Sequence, residues 1–212
     1  MKLSLVLCMP PVLLWSANGC ASRSYAPLEA NVESLRSVRQ ALEEANAQAD
    51  RALASLRKVV AWADRDPRPA FDEFEDDFDK LEEISKESSD RTKAMTEASE
   101  QYFQSWHAEN AGMKTSELQE LSAERMSVAR ESWVNVQERA VGMDEAFQDY
   151  LDRLRELRGY IANNLSPSGI EAARPFVERA ERSGKVLEER IADMMSGLDR
   201  MTARVAPAGA GT

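Results

Sequence analysis

The residue best placed for a covalent modification is Cys20. It is the second of two cysteines in a chain of 212 residues, and the other, Cys8, lies inside an apolar stretch. That stretch runs over residues 3–15 and follows a single basic residue, Lys2. It is too short to span a bilayer, but it has the length of the apolar part of a secretory signal. Both cysteines lie within the first 20 residues, so the sequence predicts no disulfide framework for the rest of the chain.

The residues that end at this cysteine, Ala17-Asn18-Gly19-Cys20, resemble the lipobox of bacterial lipoproteins. That motif places a small or aliphatic residue three positions before the cysteine and a small residue directly before it. We predict that residues 1–19 are a signal peptide, that cleavage falls between Gly19 and Cys20, and that the Cys20 thiol carries a diacylglyceryl group. The alternative is an ordinary signal peptide with an incidental cysteine.

Lipidation would determine where the protein resides. A triacylated cysteine carries enough methylenes, at about 0.8 kcal/mol for each one buried, to anchor a protein stably. Ala21 follows the cysteine where an aspartate would imply retention in the inner membrane. We therefore expect a lipid-anchored protein of the cell envelope, on the outer membrane and facing the periplasm, with residues 20–27 as the tether.

A concentration of carboxylates could suggest a divalent-cation site. It comprises Asp72, Glu73, Glu75, Asp76, Asp77, Asp79, Glu82 and Glu83. Hard cations need several carboxylate oxygens that converge at about 2.0–2.6 Å, whereas a helix spreads such side chains around its circumference. Acidic residues near a helix N-terminus are stabilised by the helix dipole. We interpret the cluster as a solvated, stabilised first turn and expect no metal.

Other catalytic chemistry has few candidate residues. His107 is the single histidine, so neither a di-iron site with two Glu-x-x-His pairs nor a convincing Ser-His-Asp triad is indicated. Trp62, Trp106 and Trp133 could mark a ligand surface, but we assign Trp106 and Trp133 to the core. The net charge of −10 repels phosphate backbones and opposes nucleic-acid binding. We expect no cofactor and no enzymatic activity.

Four long helices must position these residues. Apolar residues recur at alternating steps of three and four, the pattern of a helix that buries one stripe, here called a seam. The seams run over 28–63, 71–106, 126–164 and 170–205. They predict a first helix over about 28–64, a second from Asp66 to about Asn110, a third over about 116–165, and a fourth that ends near Val205. No segment alternates with a period of two, so we predict no sheet.

The breaks between the seams predict the helix ends. Asp66 can cap the second helix, and Ser116 with Gln119 and Ser168 with Glu171 have the spacing of capping boxes. Pro175 predicts either a kink or the true start of the fourth helix.

Short connections favour antiparallel packing of neighbouring helices. The fold class is therefore all-α, and two arrangements fit. The first is a four-helix bundle over residues 28–205, followed by a disordered tail over 206–212. The alternative is an extended rod in which helices two and three fuse and helices one and four fold back on its ends.

Two weaknesses in the helices leave alternatives open. Gly142, Gly159, Gly184 and Gly197 lie inside predicted helices, where they either permit close helix approach or lower the stability by about 1 kcal/mol each. The seam of the second helix carries Ser85, Ser88 and Thr92 at its middle. This stretch is either the least stable part of that helix, or a site of close approach, or a local shift of register onto Ile84.

Two short motifs support a family resemblance. Residues 102–106 read Tyr-Phe-Gln-Ser-Trp, and residues 160–165 read Tyr-Ile-Ala-Asn-Asn-Leu. With the helical pattern over roughly 30–200, they resemble the bacterial family catalogued as domain of unknown function 2959, whose members are predicted envelope lipoproteins rich in coiled coil. The resemblance implies a helical envelope lipoprotein and carries no established activity. The basic segment that members have soon after the lipid cysteine is reduced here to Arg23.

These observations lead to two functional hypotheses. The first is a non-enzymatic helical scaffold or interaction module, anchored through Cys20, that binds an envelope protein or itself. The alternative is an envelope ligand-binding protein or cell-wall enzyme that uses a cleft between helices.

Overall fold

Four helices account for nearly all of the structure, a computed structural model that describes residues 25–206. α1 spans Ala26–Ala61, α2 spans Arg68–Ala111, α3 spans Ser116–Ala162 and α4 spans Pro167–Val205. Short loops join them, so successive helices run antiparallel. No residue between 25 and 206 belongs to a strand, which confirms the all-helical prediction.

The helices form a closed ring of neighbours. α1 packs on α2 and α4, and α3 packs on the same two helices. Near the turn between α2 and α3, the indole Nε1 of Trp106 donates to Ser122 Oγ at 2.9 Å. Farther along the same pair of helices, Arg158 Nη1 lies 2.5 Å from Asp79 Oδ1. Because α2 and α3 lie side by side, the four-helix bundle is confirmed and the fused rod is wrong.

The predicted seams meet along the axis of the bundle. Buried seam residues include Leu35, Leu42 and Leu56 of α1, Phe74 and Phe78 of α2, Tyr150 and Leu154 of α3, and Leu187 and Met194 of α4. Each large apolar side chain removed from water contributes roughly 1.5–3 kcal/mol. Leu28 and Met126 are only half-buried, and both lie near the end of the bundle where α1 begins.

Two buried polar side chains fix how α1 and α2 align. The Oδ1 atom of Asn31 accepts a hydrogen bond from Ser99 Oγ at 2.8 Å, and Gln48 Nε2 donates to the backbone carbonyl of Asp77 at 2.8 Å. Asn31 and Gln48 are fully buried. Sequence spacing missed them, because each directly precedes a seam residue and is otherwise an ordinary polar helix residue.

The middle of α2 keeps its seam through small polar residues. Ser88 is buried, whereas Ser85, Thr92 and Ile84 are half-buried, so the register does not shift onto Ile84. The hydroxyl of Ser88 has no hydrogen-bond partner within the described part of the chain. An unpartnered buried hydroxyl costs free energy, so this stretch gains less from burial than the phenylalanine-rich start of α2.

The start of α4 differs from the predicted cap. The helix begins at Pro167, and Ser166 Oγ accepts a hydrogen bond from the backbone N–H of Gly169 at 3.1 Å. Proline suits the first helical position because it has no N–H that would stay unpaired there. Glu171 instead pairs with an arginine one turn later. The predicted capping box of Ser168 and Glu171 is therefore wrong.

The capping box predicted at the start of α3 is also wrong. The helix does begin at Ser116, but its N-cap is Thr115, and no side chain caps the backbone N–H groups of its first turn. Gln119 Nε2 instead donates to the backbone carbonyl of Asn110 at 3.4 Å, across the turn from α2. Its side chain is engaged by the preceding helix and does not close a box.

The remaining boundaries move by a few residues. α1 begins two residues before the predicted start at 28 and ends at Ala61, not 64, and α3 ends at Ala162, before 165. Pro175 lies inside α4 and does not mark its start. Asp66 Oδ1 accepts a hydrogen bond from the backbone N–H of Arg68, the first residue of α2, at 3.2 Å.

None of the helices between residues 25 and 206 contains an apolar stretch long enough to cross a bilayer.

Candidate functional site

The predicted modification site lies outside the described residues. Gly19 and Cys20, with the rest of residues 1–24, precede the first residue that the structure describes, and residues 207–212 follow the last. Signal cleavage and lipidation therefore stay predictions.

Three of the eight acidic residues in the cluster form ion pairs with neighbouring helices, and these pairs point to two different sides of α2. Glu73 pairs with Lys58 of α1, and Glu82 Oε1 lies 2.5 Å from Arg155 Nη2 of α3. The first turn of α2 holds no acidic residue, because the helix starts at Arg68. The cluster therefore lies beyond the first turn, which corrects the prediction. Across residues 25–206, no group of three or more His, Cys, Asp or Glu side chains is arranged to hold a metal ion.

The single histidine and the tryptophans lie at separate places. His107 is exposed near the end of α2. Trp133 is buried in the core, as predicted. Trp106 is half-buried and hydrogen-bonds to Ser122, so it only partly fits its assignment to the core. Trp62 follows α1 with the ammonium of Lys58 5.1 Å from its ring centre.

The four helical glycines divide into two pairs. A methyl group added at Gly142 or Gly159 would have no neighbour within 4 Å. At Gly184 it would lie 3.2 Å from the ring of Tyr150, and at Gly197 it would lie 2.9 Å from the flexible side chain of an α3 arginine. Gly184 and Gly197 therefore permit close approach of α3 and α4, whereas Gly142 and Gly159 do not serve packing.

A groove on the outer face between α3 and α4 is the best candidate for a binding site. It encloses about 390 Å³, a size at the lower end of ligand pockets. Its two aromatic side chains are unusually accessible: Phe176 is 52% exposed and Tyr160 is 41% exposed. The groove is lined by Arg153, Glu156, Leu157, Tyr160, Ala172, Phe176 and Arg179.

Arginines give the groove a cationic side. The guanidinium of Arg179 lies 5.1 Å from the ring centre of Phe176 and has no salt bridge with any residue between 25 and 206. Arg153 is held by Asp149 through two hydrogen bonds of 2.8 and 2.9 Å, and these bonds raise its pKa. The groove continues past Arg153 and Arg179 to Arg182 and Val186. An aromatic floor beside the guanidinium of Arg179 can bind an apolar group that carries a carboxylate or phosphate.

A second, wider groove between α1 and α4 is less suited to a ligand. It encloses about 670 Å³, but both of its arginines already pair with glutamates of the groove. Arg57 Nε lies 2.6 Å from Glu181 Oε1, and Arg174 Nη2 lies 2.8 Å from Glu171 Oε2.

Sequence reasoning did not identify the α3–α4 groove. Phe176 and Tyr160 fall off the seams, and two large aromatic residues at solvent-facing helix positions were the signal available. That signal does not show that the two side chains lie beside each other, because they are on different helices.

Comparison with known proteins identifies the family. No curated protein and no solved structure matches the chain. The model of one family, described as protein of unknown function (DUF2959), matches residues 25–204. The match covers all of the four helices except the last residue of α4, both sides of the groove and both motifs that suggested the resemblance. The chain therefore belongs to the DUF2959 family.

Proposed function

We propose that this chain is a lipid-anchored helical scaffold of the bacterial cell envelope, which holds a partner-binding groove away from the membrane. The supporting observation is the distance of the α3–α4 groove from the start of α1, the helix that follows Cys20 in the sequence. α1 begins six residues after Cys20, and Arg57, near the other end of α1, pairs with Glu181 of α4 at 2.6 Å. Phe176 and Arg179 are close to Glu181 along α4, so the groove lies about 45 Å along the bundle from the start of α1.

The chemistry of the groove favours a protein partner. Phe176 offers an exposed aromatic surface, and Arg179 offers a charge that no described carboxylate neutralises. An apolar side chain next to an Asp or Glu would fit both. The partner is then another protein of the envelope, and on the outer membrane it would meet the scaffold in the periplasm. The scaffold itself performs no catalysis in this proposal.

The anchor is tested by changing Cys20→Ser, with Cys8→Ser as the matched control. The Cys20→Ser protein is expected to leave the membrane fraction or to stay unprocessed, because the thiol that accepts the lipid is gone. The Cys8→Ser protein is expected to fractionate like the parent and to retain an acylated N-terminal peptide by mass spectrometry. Normal processing and membrane association of Cys20→Ser would end the lipoprotein proposal.

The groove is tested by in-cell crosslinking of Phe176→Ala/Arg179→Glu. A matched control is Val141→Ala/Lys185→Glu, which changes an exposed valine and an exposed lysine away from the groove. A crosslinked protein captured by the parent and by the control is expected to disappear with the groove variant. Equal capture by all three proteins would show that the groove is not the partner site.

One observation favours a second candidate function, the binding of a small anionic amphiphile. The groove volume of about 390 Å³ accommodates an alkyl chain with one charged head group. Dodecyl phosphate is then expected to raise the midpoint of thermal unfolding of the parent and of the Val141→Ala/Lys185→Glu control, but not of the groove variant. The same rise in all three proteins would exclude the groove as its site.

A further inference from the structure

The α2–α3 hairpin extends beyond the end of α1. The hydrogen bond between Asn31 and Ser99 places these residues side by side. α1 starts five residues before Asn31. Because the two helices are antiparallel and rise by the same 1.5 Å per residue, the start of α1 lies level with a point five residues after Ser99, near residue 104 of α2. α2 continues to Ala111, so it extends about 10 Å past the start of α1.

The hairpin also extends beyond the end of α4. Arg139 of α3 pairs with Asp193 of α4, and α4 ends twelve residues after Asp193, at Val205. α3 begins at Ser116. Its first turns, over about 116–127, therefore have no α4 beside them for about 16 Å.

This uncovered part of α3 exposes large apolar side chains on the face that α4 would occupy. An α-helix completes five turns in 18 residues, so Leu118 faces the same way as Val136, and Leu121 the same way as Arg139. Val136 and Arg139 both lie beside Gly197 of α4, where an added methyl group would meet their side chains at 3.7 and 2.9 Å. Leu118 is 57% exposed and Leu121 is 54% exposed. They extend the α3 face that packs on α4 into a region where α4 is absent.

The exposed residues form a short amphipathic surface, here called the tip stripe. It comprises Leu118, Leu121, Arg125 and Val128, at steps of three, four and three along α3. Arg125 is exposed and makes no salt bridge with any residue of the described range 25–206. Apolar side chains beside a cation with a long aliphatic stem can lie at a lipid interface, with the charged end among the head groups.

We propose that the tip stripe rests on the lipid surface to which Cys20 anchors the protein. This inference rests on the proposed lipid anchor. The tip lies at the end of the bundle where α1 begins, six residues after Cys20. Six residues reach at most about 20 Å, more than the 10 Å or so by which α2 extends past α1, so the lipid on Cys20 can lie level with the tip.

A lipid surface fits the tip better than a second copy of the chain does. A stable protein interface buries about 800 Å² on each partner, and three exposed apolar side chains on one short stripe fall well below that area. Glu117, Glu120 and Glu124 lie on the neighbouring face of α3 and are exposed. These carboxylates disfavour deep insertion into the bilayer, so the tip stripe stays at the interface. Because they would also repel anionic head groups, the attraction of the tip to the lipid surface comes mainly from its apolar side chains.

The test places a fluorescent probe on the tip of the lipidated, full-length protein. Leu118→Cys is labelled with an environment-sensitive dye and bound to phosphatidylcholine vesicles that carry brominated acyl chains. Val141→Cys, also exposed on α3 but farther from the tip, is the matched control. Bromine is expected to quench the dye at position 118 severalfold more than at position 141. Equal quenching at the two positions would overturn the proposal.

Two further measurements separate this inference from the anchor proposal. Vesicle flotation reports whether the protein binds the membrane, and its mass reports whether Cys20 carries lipid. A lipidated protein that floats with equal quenching keeps the anchor and overturns the tip contact. A chain without lipid that still floats, with quenching at position 118, supports the tip contact and refutes the anchor. A chain without lipid that does not float refutes both. A dye shift at position 118 that depends on protein concentration without vesicles indicates self-association and overturns the lipid contact.

Discussion

Replacing Gly142 by alanine is expected to stabilise the bundle, whereas the same change at Gly184 is not. Both glycines lie inside long helices, where alanine is favoured by about 0.8–1 kcal/mol. Nothing lies within 4 Å of a methyl group at Gly142. Gly142→Ala is therefore expected to stabilise the protein by the full difference in helix propensity. For a chain of this size, that raises the midpoint of thermal unfolding by about 2–4 °C.

At Gly184 the surroundings oppose the gain. The added methyl would lie 3.2 Å from Tyr150 Cε2 and 3.7 Å from a methyl of Leu53. The ring of Tyr150 is fully buried, and its hydroxyl donates to the backbone carbonyl of Ala49 at 3.1 Å, so the ring cannot turn away freely. Overpacking costs about 1–3 kcal/mol. The net effect of Gly184→Ala is expected to lie between zero and about 2 kcal/mol of destabilisation.

Urea unfolding followed by far-UV circular dichroism measures both effects. A change in midpoint with an unchanged slope reports a change in stability alone. Gly159→Ala is the control, because its site is also open but lies near the end of α3, where a smaller gain is expected. If Gly184→Ala stabilised the protein as much as Gly142→Ala, the packing argument for α3 and α4 would be refuted.

The remaining predictions concern one half-buried and one buried tyrosine and the middle of α2. Burial raises the pKa of Tyr102 to about 12 and also raises that of Tyr150. The stability linked to them is full below the unfolded value near pH 10 and is lost as the pH rises through the folded values. Tyr102→Phe/Tyr150→Phe is therefore expected to show a smaller fall in urea midpoint between about pH 8 and pH 11 than the parent, and an unchanged fall would contradict the assignment. Ser88→Ala is expected to stabilise the protein by about 1 kcal/mol in the same assay, because it removes an unpartnered buried hydroxyl, and a loss of stability would show that this hydroxyl has a partner. Amide exchange is expected to be fastest, among helix interiors, over residues 84–94, and uniform protection along α2 would eliminate the idea of a weak middle.

Local spacing determined the helices and most of the core. A residue every three or four positions faces one side of a helix whatever the neighbouring helix is. The seams of Leu35, Phe74 and Leu154 could therefore be identified before any helix was placed beside another. The caps were harder to predict. Ser116 and Ser168 have the right spacing, but the structure uses Ser166 at one site and turns Gln119 toward the preceding helix at the other.

The candidate groove depended on information that spacing does not hold. Tyr160 and Phe176 are ordinary off-seam residues in their own helices, and they share a groove only because the α3–α4 turn brings them together. Gly142 and Gly184 are equivalent in sequence terms, yet only Gly184 faces a buried ring. The lipid anchor is the opposite situation, since it rests on the sequence around Cys20 alone.

The sequence by itself determined four amphipathic helices, their order and the lipobox-like pattern at Cys20, because these follow from contacts between residues close along the chain. The tertiary structure alone decided which faces stay uncovered. That outcome depends on helix lengths and on axial alignment, which long-range contacts such as that between Asn31 and Ser99 set. The hairpin of α2 and α3 extends beyond the ends of α1 and α4. Leu118 and Leu121 therefore remain exposed on a face of α3 that is buried farther along the same helix. Periodicity assigns a residue to a face, but only the neighbouring helix decides whether that face meets protein.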